Sequence, residues 1–212
     1  RALAEETEQP MEVRDAIVLS AQLNRLLGRH EQAISNWKSA LSRDRATGIE
    51  INVLVDRLGL ANALALAGRF DDARDGFSRV RADVFDSGQG DLALAYYFGM
   101  GHVFETTQPD SSRFYYERAL AVLDDTRSEI GGAEVRTGYL GGVRRHYYEE
   151  VARFYASQAG GDPGRAGSEW TALAFHTIER AKARGLLELI EVSVAGDESP
   201  RESAVLDSLY RL

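Results

Sequence analysis

The residues that could carry acid–base or metal chemistry in this chain are its histidines and its pairs of adjacent carboxylates. The four histidines are His30, His102, His146 and His176. No two of them have the His-x-x-x-His spacing that places two metal ligands on one face of a helix. The sequence contains no cysteine, which excludes a thiolate zinc site, a cysteine nucleophile and a disulfide. We therefore predict that the histidines serve packing and that the chain binds no metal and no cofactor.

Adjacent carboxylates can act as a general acid and base only if they face one another. Neighbouring residues on a helix point about 100° apart, and at a helix start such a pair stabilises the helix dipole without chemistry. The pairs considered are Asp71-Asp72, Asp124-Asp125 and Glu149-Glu150. A dinucleotide loop is not expected, because Gly99–Gly101 lacks a third glycine and lies in a helical pattern. The sequence thus predicts a chain without a catalytic site.

Composition narrows the class of protein further. The net charge is −8, and the longest basic cluster, Arg144–His146, is too small to hold a phosphate backbone against that field. No apolar run approaches the roughly 18 residues of a membrane span, and the first residues do not resemble a signal peptide. We therefore expect no nucleic-acid partner, no membrane association and a cytoplasmic location.

A pattern of small and aromatic residues repeats along the chain. It consists of a glycine, a small residue, an aromatic residue and a second small or β-branched residue. The first two copies, 40 residues apart, are Gly28, Ala33, Trp37, Ala40 and Gly68, Ala73, Phe77, Val80. Weaker third and fourth copies are Ser112, Tyr116, Ala119-Leu120 and Ala174, Ile178, Ala181. Small residues three or four positions apart let two helices approach closely, while the glycine can end the preceding helix in a left-handed conformation.

The spacing predicts an all-α fold built as a superhelical solenoid of antiparallel helix pairs with lengthened repeats. The predicted helices are 11–27, 31–43, 50–67, 71–82, 91–105, 111–125, 132–158, 168–192 and 200–212. The last begins at Ser199-Pro200-Arg201-Glu202, a capping box with proline at the first helical position. We assign residues 1–195 to a repeat domain of three to four helix pairs. Residues 196–212 then form a capped helix that begins the connection to an absent downstream domain.

The Gly-x-aromatic-x-x-Ala-x-x-x-aromatic-x-x-Ala pattern resembles the tetratricopeptide repeat (TPR), although the period of 39 or 40 exceeds the usual roughly 34 residues. The segment Ala174–Ile190 is similar to the helix that follows the repeats in bacterial TPR-CHAT proteins. In that family a caspase- or separase-like cysteine peptidase domain lies downstream and the repeats regulate it. The resemblance implies that this chain is a piece of a longer protein, the upstream repeat region without the peptidase His and Cys. It also implies a scaffold that binds a partner protein or peptide and controls the CHAT peptidase.

Two other classes of protein stay open. The chain could be the sensor or adapter arm of a transcription regulator or kinase, which the domain after Leu212 would distinguish. It could also be a free-standing helical ligand-binding domain or hydrolase, which would require a convergent polar pocket that the sequence does not reveal.

In TPR arrays the first helix of each pair lines the concave face, and that register predicts a partner-binding groove. The predicted groove residues are Val18, Gln22, Arg25, Val55, Leu58, Asn62, Leu66, Tyr97, Gly101 and Phe104. The asparagine suits hydrogen bonding to a peptide backbone, and the apolar and aromatic lining suits an amphipathic helix or an extended segment. The alternative is that these residues pack against the protein's own neighbouring helices.

A second set of aromatic residues follows an apolar stripe near the C-terminal half. The stripe consists of Val143, Tyr147, Val151 and Phe154 and is predicted to be core. Tyr148 and Tyr155 lie off this stripe. Because tyrosine is enriched at interfaces, both are predicted to contact a partner.

Overall fold

A computed structural model describes residues 2–129, 143–161 and 164–196 of the chain. All secondary structure in these residues is helical, which confirms the all-α prediction. The helices are α1 (Ala2–Leu26), α2 (His30–Thr47), α3 (Glu50–Leu66), α4 (Phe70–Asp86), α5 (Gly90–Phe104), α6 (Pro109–Glu129), α7 (Val143–Gly161) and α8 (Arg165–Gly196). The four central helices α2 to α5 lie close to their predicted bounds. By contrast, α1 begins at Ala2 rather than at residue 11. The predicted helix 200–212 lies outside the described residues.

The turns within the first two helix pairs are closed by left-handed glycines, as predicted. Gly28 has a φ of 69° and its amide donates to the Arg25 carbonyl at 3.1 Å. The next amide, that of Arg29, donates to the Asn24 carbonyl at 2.8 Å. Gly68 ends α3 with the same two bonds and a φ of 74°. These paired bonds satisfy carbonyls that the helix end would otherwise leave without partners.

The repeated seam of small and aromatic side chains is buried, as predicted. Ala33, Ala73 and Phe77 are fully buried, and Trp37 is 6% exposed. The third copy is buried too, and its Ser112 hydroxyl donates to the Gly101 carbonyl at 2.8 Å. The two small positions of the weak fourth copy, Ala174 and Ala181, and the Ile178 between them are half-buried.

The seam includes two glycines that the sequence prediction missed. A Cβ on Gly59 of α3 would stand 2.5 Å from Cε2 of Trp37 on α2. A Cβ on Gly99 of α5 would stand 2.9 Å from Cε1 of Phe77 on α4. The two glycines are 40 residues apart, like the rings that cover them. The aromatic rings of the first two copies therefore each pack onto a glycine in the first helix of the next pair, whereas Tyr116 of the third copy packs onto Gly101 of α5, the first helix of its own pair.

The helices fall into two compact units, residues 1–122 and 123–212, with the boundary inside α6. In the first unit α1, α2, α3 and α4 each pack against the next helix, and α3 also packs against α5. In the second unit α7 packs along α8. The fold is thus an all-α arrangement of packed adjacent helices in which α3 and α5, the first helices of two successive pairs, also touch.

Candidate functional site

The predicted groove residues of α3 and α5 occupy two different environments. Leu58 is 2% exposed and belongs to the hydrophobic core. The half-buried ones are Val55, Asn62, Leu66, Tyr97 and Phe104. The Asn62 amide donates to the Leu58 carbonyl at 3.0 Å, a bond within its own helix. These five half-buried side chains keep part of their surface available, whereas Leu58 contributes to packing.

The two groove aromatics are held by neighbouring rings. The Tyr97 ring lies 5.3 Å from that of Phe85 and 5.8 Å from that of Tyr96. Phe104 stacks on Tyr115 with centroids 5.7 Å apart and planes 9° from parallel. Offset and edge contacts of this kind fix ring orientation. These ring contacts hold the Tyr97 and Phe104 side chains in place.

The two tyrosines predicted as partner contacts are buried in the second unit. Tyr148 is 4% and Tyr155 is 1% exposed, while Tyr147, which the apolar stripe predicted as core, is half-buried. The Tyr148 hydroxyl donates to Asp124 Oδ1 at 2.5 Å. Arg180 pairs with the same carboxylate, and its guanidinium lies 5.9 Å from the Tyr148 ring centre. Tyr148 thus holds α6, α7 and α8 residues of this unit together rather than facing solvent.

A cleft of about 680 Å³ opens in the first unit between the end of α2, the start of α3 and α4. It is lined by Arg45, Gly48, Glu50, Ile51, Val53, Leu54, Arg57 and Asp83. Its volume lies within the usual range for sites that hold small ligands or peptide segments. Arg45 and Arg57 are exposed, and neither forms an ion pair with any described residue. The cleft therefore offers two unpaired guanidinium groups beside an apolar wall.

The repeat explains why this cleft is open. Forty residues after Arg45 and Arg57 stand Phe85 and Tyr97, whose rings are 5.3 Å apart. The two rings contact each other between α4 and α5, whereas the exposed Arg45 and Arg57 line an open cleft at the equivalent positions of α2 and α3. This break in the repeat is visible in the sequence, although neither arginine was among the predicted site residues.

A buried charged cluster joins α1, α2 and α3. Nε of Arg14 donates to Oδ2 of Asp44 at 2.8 Å, and its Nη2 lies 3.6 Å from Oδ1 of Asp56. The Asp56 side chain is fully buried and the Asp44 side chain is 3% exposed. Two carboxylates therefore share one guanidinium inside the protein, an arrangement that leaves part of their charge uncompensated.

Burial raises the pKa of Asp56 to about 7. This value already includes the raising effect of the adjacent Asp44 carboxyl and the opposing effect of Arg14. Because the usual value is 3.8, folded Asp56 holds a proton over a pH range in which the unfolded residue has lost it. The folded state then binds more protons than the unfolded state, so this group makes the free energy of unfolding fall as pH rises through that range.

We expect an Asp56→Asn variant to lose less stability than the unaltered protein between pH 4 and about 7, because asparagine cannot ionise. Urea unfolding followed by circular dichroism at several pH values measures the difference. Asp75→Asn is the matched control, since Asp75 is an exposed carboxylate paired with Arg79. Equal pH slopes for the Asp56→Asn variant and the unaltered protein would contradict the proton held by Asp56.

The carboxylate pairs at the start of α4 and within α7 contact nearby basic side chains. Asp71 pairs with Arg74 at 2.5 Å and Asp72 with Arg69 at 2.6 Å, both at the first turn of α4. Further along, Glu149 and Glu150 pair with Arg145 and His146. Among the described residues no group of three or more His, Asp or Glu side chains could hold a metal ion. These contacts account for the carboxylates as surface ion pairs.

The described residues form an all-α fold of packed adjacent helices, and the buried seam of the first helix pair recurs forty residues later in the second. No protein-family model, no curated protein and no solved structure matches the chain. Within the described ranges, none of the helices combines the length and the apolar character that crossing a bilayer requires.

Proposed function

We propose that this chain is a scaffold of tetratricopeptide-like helix pairs, stacked as a superhelical solenoid, that binds a partner protein or peptide. The observation that carries the proposal is the repeated interlock of Trp37 with Gly59 and of Phe77 with Gly99. One helix pair repeated by translation presents the same surface at regular intervals, and such extended surfaces are used to bind other proteins.

The open cleft is the part of this surface that best fits a partner. Ile51 is 39% exposed beside Arg57 and Arg45, and Glu50 and Asp83 also line the cleft. An apolar wall flanked by charges of both signs suits a peptide segment with an apolar residue between charged ones. The half-buried residues Val55, Asn62, Leu66, Tyr97 and Phe104 extend the proposed contact surface along α3 and α5.

The downstream part of the proposal rests on the resemblance of Ala174–Ile190 to the helix of TPR-CHAT proteins. Under it, partner binding to the repeats regulates a CHAT cysteine peptidase encoded after Leu212. The reading frame beyond Leu212 tests this directly. A cysteine peptidase domain there supports regulation, and an unrelated domain contradicts it without affecting the scaffold proposal.

We expect an Arg45→Glu, Arg57→Glu variant to lose the proteins that the unaltered chain retains from a native lysate. The reversed charges would repel the groups that the guanidiniums bind. Quantitative mass spectrometry of the retained proteins measures the loss. The control is Arg43→Glu, which reverses the charge of one exposed arginine of α2 outside the cleft and is compared with the single Arg45→Glu and Arg57→Glu variants.

A second pair of variants separates the cleft from the predicted groove. Asn62→Ala and Tyr97→Ala change the α3 and α5 surface and leave the lining of the cleft intact. Each variant is compared at equal helical content by circular dichroism, because Asn62 and Tyr97 also make contacts within the fold. If no protein is retained specifically, or if all variants retain the same proteins, the proposed binding surface is wrong.

A further inference from the structure

The helix α1 exposes a leucine seam on the side opposite to its buried Ala21. Leu19 is 65% exposed, Leu23 is 56% and Leu26 is 66%, while Ala21 is fully buried in the core. Together with the exposed Ala16 these residues are spaced by three, four and three positions. That spacing is the heptad pattern by which one helix packs along another. Several leucines exposed together on one face are unusual for a surface left in water.

The repeat shows that this seam occupies an interface position. Forty residues after Leu19 and Leu23 stand Gly59, on which Trp37 of α2 lies, and Ala63, which is 1% exposed. Eighty residues after them stand Gly99 and Val103, which are likewise buried. The face that α3 and α5 bury against the preceding helix is therefore the face that α1 leaves open.

The side chains of the seam indicate what can cover it. At Gly59 and Gly99 the absence of a Cβ makes room for the aromatic ring of the covering helix. At the same position α1 carries Leu19, which itself occupies the space of a ring. A covering helix of the α2 or α4 type would clash there. The covering helix must instead present aliphatic and small side chains at heptad spacing.

We propose that α1 of a second copy of this chain covers the seam, forming an antiparallel two-helix interface. In that arrangement Leu19 packs against Leu23 of the other copy, and Leu26 packs against the small Ala16. The same patch serves both copies, as a two-fold axis requires. Between Ala16 and Leu27 only Arg25 is charged, so the paired helices bring no like charges together along the seam.

The dimer is weak and concentration-dependent. A single helix packed against its copy buries less area than the roughly 800 Å² that each partner buries in a standard stable interface. The net charge of −8 on each copy also opposes association, and salt screens that repulsion. Added salt therefore strengthens the dimer.

Analytical ultracentrifugation over a wide concentration range tests the proposal. We expect the unaltered chain to pass from monomer to dimer, and a Leu19→Glu, Leu23→Glu variant to remain a monomer. Both leucines are more than half exposed, so the variant keeps the helical content and thermal midpoint of the monomer. Phe175→Glu is the matched control, since Phe175 is 67% exposed on α8, and this variant should dimerise like the unaltered chain.

Disulfide cross-linking shows whether the two helices are antiparallel or parallel. Because the chain has no cysteine, a Leu19→Cys chain mixed with a Leu23→Cys chain can form disulfides only at the introduced positions. The antiparallel seam predicts that the mixed 19–23 cross-link forms in preference to 19–19 and 23–23 links. A monomer at every concentration, a dimer that survives the glutamate substitutions, or a preference for like-to-like cross-links overturns the proposal.

Discussion

We expect the free energy of unfolding of a Gly59→Ala variant to be about 2 kcal/mol lower than that of the unaltered protein. The new Cβ would stand 2.5 Å from Cε2 of Trp37, closer than any stable carbon contact. Forcing a methyl group into a packed core costs about 1–3 kcal/mol. Alanine gains up to about 1 kcal/mol over glycine in a helix, which offsets only part of that cost. Urea unfolding measures the net change.

Two comparisons separate the steric effect from helix propensity. Gly160→Ala in α7 places its Cβ where no atom lies within 4 Å, so this variant should be unchanged or slightly more stable. Trp37→Leu removes the ring and makes room for the methyl group. The double variant should therefore be less destabilised than the sum of the two single variants. Additive effects at Gly59 and Trp37 would show that the ring does not sit against the glycine.

The same reasoning shows why the sequence predicted the helical seam so well. Ala33, Trp37, Ala73 and Phe77 repeat because two packed helices admit only certain shapes at their closest approach. Shape constraints of this kind act locally and recur at a fixed period, so one sequence is enough to reveal them. Gly59 and Gly99 obey the same period. They were missed because the pattern was followed within each helix pair and not into the next.

The features that escaped prediction depend on contacts between distant segments. Tyr148 is buried because Asp124 and Arg180, far apart in sequence, meet at its hydroxyl and ring. Helical periodicity gives the face on which a residue lies, and it does not give which partner covers that face. The cleft lined by Arg45 and Arg57 escaped for another reason. It exists because the arginines differ from Phe85 and Tyr97 at the equivalent positions of the second copy. Such a difference cannot be interpreted until the contact between Phe85 and Tyr97 is known.

Replacement of Arg14 by leucine is expected to destabilise the protein by about 3 kcal/mol at neutral pH, because it leaves Asp44 and Asp56 buried without a cation. The triple variant Arg14→Leu, Asp44→Val, Asp56→Tyr is expected to have the opposite result. Forty residues later the chain carries leucine, valine and tyrosine at the equivalent positions. These residues are Leu54, Val84 and Tyr96, and all three are buried. Exchanging a buried ion cluster for a well-packed apolar layer is often neutral or stabilising by about 1–4 kcal/mol.

The contrast between one and three substitutions identifies the cause. If the cluster is a layer of the same seam, then the free energy of unfolding of the apolar triple variant, measured in urea, equals or exceeds that of the unaltered protein. The free energy of unfolding of the single Arg14→Leu variant is then well below both. An Arg74→Leu control removes an exposed pair with Asp71 and should change the free energy of unfolding by about 0.5 kcal/mol or less. A triple variant as unstable as the single one would mean that the first interface does not share the geometry of the second. In that case the helices would repeat every forty residues, but the packing of their buried side chains would not.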